Sequence, residues 1–325
     1  MGLIEDELLE VKKLCEHIVP NTKLISCVPT MVRTEIKKTN FKNIVICAQF
    51  PKEYPHSPLL IELKSKTLSD KLLLALTNVC ERELKTKLGK PQILHTIKFV
   101  EKFIEENPLT CCYDEINNLK KILTKQDQLK LKQKTSSLIL KVYNEEYYWI
   151  CKITVPNDYP CKPIDILNVE TNFTPTFHRH MVAQAKEIAR RCVEPPLKKK
   201  PKDPPFQPSP SLEKTALFLI DCIKRLPTEK CQFCKEICFH KNPKLLEHDE
   251  KSPKYVERVY CGHLFHQGCL LAYMKQPPFG NKTCSKCGNK IHHFKWNLTD
   301  KMAEAQWAHE QARERELQEV TDFFK

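Results

Sequence analysis

The sequence predicts an α+β protein: two α/β sandwich domains in tandem, then a small cysteine- and histidine-rich domain, then a charged terminal helix. Three observations carry this. The stretch FPKEYPHSPL, Phe50 to Leu59, recurs as VPNDYPCKPI, Val155 to Ile164, with three prolines, a tyrosine and an acid in one register. Helical and strand-like runs flank both copies in the same order. Four pairs of cysteine and histidine fall between Cys231 and Cys287.

The first copy opens with Leu3 to Val19, where Ile4, Leu8, Val11, Leu14 and Ile18 recur at helical spacing. Strand-like runs follow at Lys23 to Val28, Val32 to Lys37 and Asn43 to Phe50, and a fourth at Leu59 to Leu63. Helices are expected at Asp70 to Leu88 and Ile93 to Glu106. The second copy answers with a helix near Tyr113 to Leu123, carrying Ile116, Leu119, Ile122 and Leu123. Its strands are expected at Gln128 to Lys132, Ser137 to Tyr143, Tyr147 to Val155 and Ile164 to Val169. Its helices are expected at Thr176 to Cys192 and Leu212 to Leu226. Domain limits then fall at 1–108, 109–227, 228–298 and 299–325. The proline-rich stretch 194–210 reads as an extended, mobile insertion inside the second domain, because its prolines forbid a helix.

Within each repeated motif the prolines fix φ and remove amide donors, so the preceding strand must stop and turn. Tyr54 and Tyr159 can cover that turn with a ring and hydrogen-bond through the hydroxyl, which is a structural role. The motif resembles the YPxxxP turn of the RWD domain, with Tyr54-Pro55 and Pro58, and Tyr159-Pro160 and Pro163. The last proline stands one residue earlier than in that form. The resemblance covers residues 1 to about 227. It implies folds like ubiquitin-conjugating enzymes without the catalytic cysteine, used to bind other proteins. Neither copy has a His-Pro-Asn stretch leading to a cysteine, so conjugating activity is not expected.

The seventeen cysteines, with no secretory leader in MGLIEDELLE, indicate a reducing compartment, cytoplasmic or nuclear, and metal binding rather than disulfides. Asp6 stands where N-myristoylation needs Ser or Thr. No stretch is long and apolar enough for a membrane span, and no membrane partner is expected. Ten cysteines lie outside the Cys231–Cys287 segment in apolar contexts such as IVICAQF, and read as small buried hydrophobes. The net charge of +13 raises nucleic-acid binding as a reading, but the lysines are spread along the chain and mixed with acids. The dense run LKKKPK resembles a nuclear import signal.

The eight donors are Cys231, Cys234, Cys261, His263, His266, Cys269, Cys284 and Cys287, enough for two tetrahedral Zn2+ ions. Pairs in this order can be wired sequentially or interleaved, and Cys238 could stand in for Cys234. The central CGHLFHQGC resembles the RING finger, with Phe265 at the usual aromatic position. LIM domains lack that centre, and no Trp precedes the last pair as in PHD fingers. The resemblance implies that Cys231, Cys234, His266 and Cys269 share one zinc, and Cys261, His263, Cys284 and Cys287 the other. It also implies a ubiquitin ligase whose apolar groove binds a ubiquitin-conjugating enzyme, here through Phe233, Pro277, Pro278 and Phe279.

Leu270 and Met274 follow on the expected central helix, where core packing is an equal reading. Two features depart from many RINGs: CSKC replaces CPxC, and Gly288-Asn289-Lys290 replaces the Arg that contacts ubiquitin. The layout is similar to that of the Fanconi anaemia pathway's ubiquitin ligase. Expected partners are a conjugating enzyme, ubiquitin and a protein substrate; a non-catalytic zinc-binding adaptor is the alternative. The chain closes on a charged helix, Thr299 to Phe324, which either packs back on the zinc domain or pairs with a partner.

Overall fold

The computed structural model describes residues 2–39, 41–196, 205–280, 282–291 and 300–323. The basic run LKKKPK, the middle of the expected insertion, Thr299 and Phe324 lie outside the described residues.

The first repeat runs α1 (Leu3–Ile18), β1 (Thr22–Val28), β2 (Met31–Lys37), β3 (Asn43–Gln49), β4 (Leu60–Lys64), α2 (Asp70–Lys85) and α3 (Ile93–Glu106). The strands form one antiparallel meander in the order β1-β2-β3-β4. Side chains alternate across a strand, so the pairs Val32↔Ala48, Thr34↔Ile46 and Ile36↔Ile44 all fall on the buried face. Against that face pack Val11 and Cys15 of α1, Leu76 and Cys80 of α2, and Ile97 and Val100 of α3.

The second repeat has the same order: α4 (Tyr113–Ile122), β5 (Gln128–Lys132), β6 (Ser137–Asn144), β7 (Tyr147–Thr154), β8 (Asp165–Thr171), α5 (Pro175–Val193) and α6 (Leu212–Arg225). Its sheet order is β5-β6-β7-β8. Leu138, Leu140, Trp149, Cys151 and Ile153 fill the inner face, with Met181, Ala185, Ala216 and Leu219 from the helices also buried.

The repeated tyrosines anchor each repeat to its first helix. The Tyr159 hydroxyl donates to Glu115 Oε2 at 2.6 Å and accepts from the amides of Ser211 and Leu212 at 2.7 and 3.0 Å. Glu115 Oε1 accepts from the Glu213 amide at 2.9 Å. In the first repeat Tyr54 donates to Glu7, and Glu7 Oε1 accepts from the amides of Gln92 and Ile93 at 2.7 Å each. A buried carboxylate thus satisfies the free amides at the start of the last helix, where the helix dipole favours negative charge. Both Tyr-Pro bonds are cis.

The described residues fall into two compact units, 1–142 with 149–171 and 179–220, and 143–148 with 172–178 and 221–325. The second contains the hairpin β9 (Val256–Arg258) and β10 (Leu264–His266), α7 (Gln267–Lys275) and α8 (Asp300–Phe323). Its core includes an aromatic cluster in which Phe239 meets Tyr147, Phe173 and Phe177 at centroid distances of 5.9, 5.5 and 4.9 Å. The Tyr147 hydroxyl donates to the His240 carbonyl at 2.6 Å. Among the described residues no helix is long and apolar enough to cross a membrane.

Candidate metal centre

Two turns of the same design present the outer cysteine pairs. In the first, the Cys231 amide donates to the Glu236 carbonyl at 2.8 Å, the Lys235 amide donates back to Cys231 at 2.9 Å, and Lys230 bridges Ile237. In the second, Cys284 bonds Asn289 at 2.8 Å, Gly288 bonds Cys284 at 2.8 Å, and Thr283 bridges Lys290. The residue after each pair is left-handed, Lys235 at φ 65° and Gly288 at φ 73°. Gly288 therefore occupies a position that favours glycine, and that its counterpart fills with a lysine.

The hairpin supplies the inner donors. Gly262, at φ 92°, turns the chain after Cys261, and the Val259 amide bonds the His263 carbonyl at 3.1 Å. His266 ends β10 and is the N-cap of α7, whose first turn carries Cys269.

These elements bring the eight donors into two groups. Cys231, Cys234, His266 and Cys269 place one donor atom each within 4.8 Å of one another, as do Cys261, His263, Cys284 and Cys287. The first pair in sequence is thus grouped with the third, and the second with the fourth. His266 Nδ1 lies 3.2 Å from Cys234 Sγ, and His263 Nδ1 lies 3.4 and 3.3 Å from the sulfurs of Cys261 and Cys284. Sulfur and nitrogen ligands of a tetrahedral zinc ion stand about 3.5 Å apart. Each group can hold a metal ion, and three thiolates with an imidazole suit zinc.

Burial opposes the Cys231 thiolate, but the His266 imidazole and the amides of Cys234 and Phe233 outweigh it and lower its pKa to about 6. His266 is raised, first by its bond to Cys231. Burial pushes Cys269 up to about 12 and Cys261 to about 11, with neighbouring thiols adding to both. The Asn289 amide lowers Cys287. Burial and then Lys286 lower His263, keeping it in the neutral form that a metal binds.

Cys238 is buried and lies outside both groups. Burial, and then the nearby Cys231, Cys234 and Cys269, push its thiol up to about 12, as for a core residue. Outside the segment, Cys15, Cys47, Cys80, Cys112, Cys151, Cys192 and Cys222 are buried as expected. Three depart from that expectation: Cys27 and Cys111 are half-buried, and Cys161 stands exposed, because the Tyr159-Pro160 turn carries it to the surface. His292 and His293 lie outside the described residues.

Beside the first group, Phe233 stacks on Tyr273 of α7 at 4.7 Å and meets the buried Phe265 at 5.0 Å. Pro277 and Pro278 are exposed and joined by a cis bond. Phe279, expected to be an open apolar residue, is half-buried against Trp307 of α8, with ring centroids 5.8 Å apart. Leu270 is core and Met274 half-buried.

Sequence reasoning missed Lys282. Its buried ammonium donates to the Tyr273 and Gln276 carbonyls at 2.7 and 2.5 Å and lies 4.4 Å from the Tyr273 ring centre. It closes the C-terminal end of α7, where carbonyls lack partners and a cation is favoured. A lysine two residues before a zinc-ligand pair has no pattern that distinguishes it from the solvated lysines.

The fold and both donor groups are thus defined by geometry alone. Residues 4–104 match the RWD domain. The matched span is the first repeat, α1 through most of α3, and the YP turn lies at its centre. No curated protein matches the chain. The RWD domain indicates a protein-binding role, and the two Cys/His groups indicate metal binding.

Proposed function

We propose that the chain is a RING-type E3 ubiquitin ligase that binds two zinc ions. In this reading residues 228–298 form the RING and 299–325 its helical extension. Residues 1–108 and 109–227 are tandem RWD domains that recruit protein substrates. The observation that carries the reading is the interleaved grouping of the four donor pairs, which sets the Phe233–Tyr273 platform beside one group. Zinc would be held by Cys231, Cys234, His266 and Cys269, and by Cys261, His263, Cys284 and Cys287. It supplies the cross-links that fix these loops, which lack enough core to fold without them.

The apolar residues Phe233, Pro277, Pro278 and Phe279 dock a ubiquitin-charged conjugating enzyme. Pro277 and Pro278 are exposed and the two phenylalanines half-buried, and accessible apolar side chains beside a small rigid fold suit a partner surface. Holding the charged enzyme next to a bound substrate raises the effective concentration of the two, so the chain needs no nucleophile of its own. The proposed partners are therefore a conjugating enzyme, ubiquitin and a protein substrate.

A second reading, a non-catalytic zinc-binding adaptor, is favoured by one observation. Gly288, Asn289 and Lys290 stand where RING ligases carry the arginine that contacts ubiquitin, and lysine cannot reproduce its forked hydrogen bonds. Autoubiquitination of the zinc-loaded full chain, with activating enzyme, ATP, ubiquitin and a panel of conjugating enzymes, separates the two. Ubiquitin chains on the protein with at least one enzyme are expected. Silence with every enzyme, from protein carrying its full zinc, excludes the ligase reading.

A further inference from the structure

The proposed docking residues are flanked by a helix that the RING resemblance does not include. Trp307 of α8 packs on Phe279 at 5.8 Å, and one turn further on Glu310 pairs with Lys275 of α7 at 3.1 Å. Pro277 and Pro278 stay exposed and Phe233 half-buried, so α8 covers Phe279 in part and leaves the two prolines open. Helical residues three, four and seven positions apart share a side. Around Trp307 those positions include Glu304, Glu310, Gln311 and Glu314, with no base among them. The helix cations Lys301, Arg313 and Arg315 fall elsewhere around its circumference. Glu304 and Glu314 are exposed, and no described residue forms an ion pair with either.

We infer that α8 is the second wall of the conjugating-enzyme site: Trp307 extends its apolar floor, and Glu304 and Glu314 give it an acidic rim. The enzyme that fits carries a basic docking element with an apolar side chain at its centre. Desolvated aromatic contacts supply most of the affinity of such a site, and the charged rim sets encounter rate and partner choice. The inference rests on the ligase reading. A helix serving only to cover the RING would bury the two prolines along with Phe279, and α8 leaves them exposed.

The test is calorimetric titration of the zinc-loaded full chain with each purified conjugating enzyme of the panel, at low and at physiological salt. For enzymes that bind the unmodified protein, Trp307→Ala is expected to weaken binding about tenfold or more. Trp307→Phe should recover most of the loss. The double variant Glu304→Lys, Glu314→Lys alters only exposed side chains and leaves the helix docked. It should weaken binding by about tenfold at low salt and remove much of the salt dependence. Unchanged binding in both variants overturns the second wall while leaving the ligase reading intact. Tighter binding by Trp307→Ala overturns it too, because α8 would then be a cover. If no enzyme binds the unmodified chain, the ligase reading fails and this inference fails with it.

Discussion

Tyr159 and Glu115 are joined by a buried 2.6 Å hydrogen bond that ties the YP turn to the first helix of its repeat. The same hydroxyl accepts the Ser211 and Leu212 amides at the start of α6. Tyr159→Phe leaves the carboxyl group without its donor and two helix amides without their acceptor, all at buried residues. Each unmet buried polar group costs about 1–3 kcal/mol. The expected loss for the variant is about 2–4 kcal/mol in guanidinium unfolding with zinc present. A loss below about 0.5 kcal/mol would show that water replaces the hydroxyl and that the bond is incidental.

Glu115 makes the same network sensitive to pH. Its burial raises the carboxyl pKa above the ordinary 4.5, against the lowering effect of the Glu213 amide and the Tyr159 hydroxyl. A carboxyl with a higher pKa folded than unfolded lends its stability in full below the unfolded value, and loses it as pH rises through the folded one. Glu115→Gln stays neutral throughout. The stability of the unmodified protein minus that of the variant should therefore fall as pH is raised from about 4.5 towards neutrality. Comparing the two proteins cancels the pH dependence of zinc binding. A difference that is flat, or that rises with pH, contradicts the assignment.

These bonds also show where sequence reading stopped. The helices and strands were legible because periodicity specifies them: Val32, Thr34 and Ile36 alternate with polar residues in β2, and Leu8, Val11 and Cys15 line one side of α1. The order of the donor pairs left sequential and interleaved wiring open, and only the resemblance to a RING finger implied the interleaved grouping. The carboxylates were not picked out, although a signal exists. Glu7 lies on the apolar side of α1 with Ile4 and Val11, and Glu115 beside Ile116 and Leu119 in α4, an acid on a core face in both copies. The aromatic cluster of Tyr147, Phe173, Phe177 and Phe239 and the Phe279–Trp307 contact join segments far apart in sequence. No local pattern encodes such pairs, because tertiary packing alone chooses them.

Zinc removal gives the next prediction. The unmodified protein is expected to carry two zinc ions per chain by elemental analysis, one for each donor group. A strong chelator should lower hydrogen-exchange protection at the two cysteine turns and in the β9–β10 hairpin, which are short and carry the donor groups. Protection in β2 and β3 should survive, since the first repeat has its own core. Cys231→Ser and Cys284→Ser should each lower the zinc content. Full zinc content in either variant would remove that residue from the ligand set.

Phe233→Ala separates the proposed docking surface from the scaffold. The ring is half-buried between Phe265 and Tyr273, and its backbone belongs to the first cysteine turn without supplying a ligand. Truncation is expected to lower conjugating-enzyme affinity at least about tenfold, as for a central aromatic of an interface. Two zinc ions should remain bound. Loss of zinc would instead mean that Phe233 is part of the scaffold, and unchanged autoubiquitination would place the docking surface elsewhere.

Gly288→Arg tests the proposed ligase reading at the position after the last cysteine pair. The position is left-handed, and a side chain there is strained by about 1–2 kcal/mol in an L-residue. Lys235, at φ 65° in the matching turn, demonstrates that the design accepts a long side chain. No atom lies within 4 Å of a Cβ built on Gly288, so the cost is confined to the backbone. If ubiquitin is held weakly because no guanidinium follows the last cysteine pair, the variant should discharge a ubiquitin-charged conjugating enzyme several-fold faster, while its affinity for the uncharged enzyme stays unchanged. The single-turnover rate of ubiquitin transfer to free lysine measures this directly. An unchanged rate with both zinc ions in place would mean that Lys290 or another group already performs the contact; a rise in affinity for the uncharged enzyme would mean that residue 288 faces the enzyme and not ubiquitin.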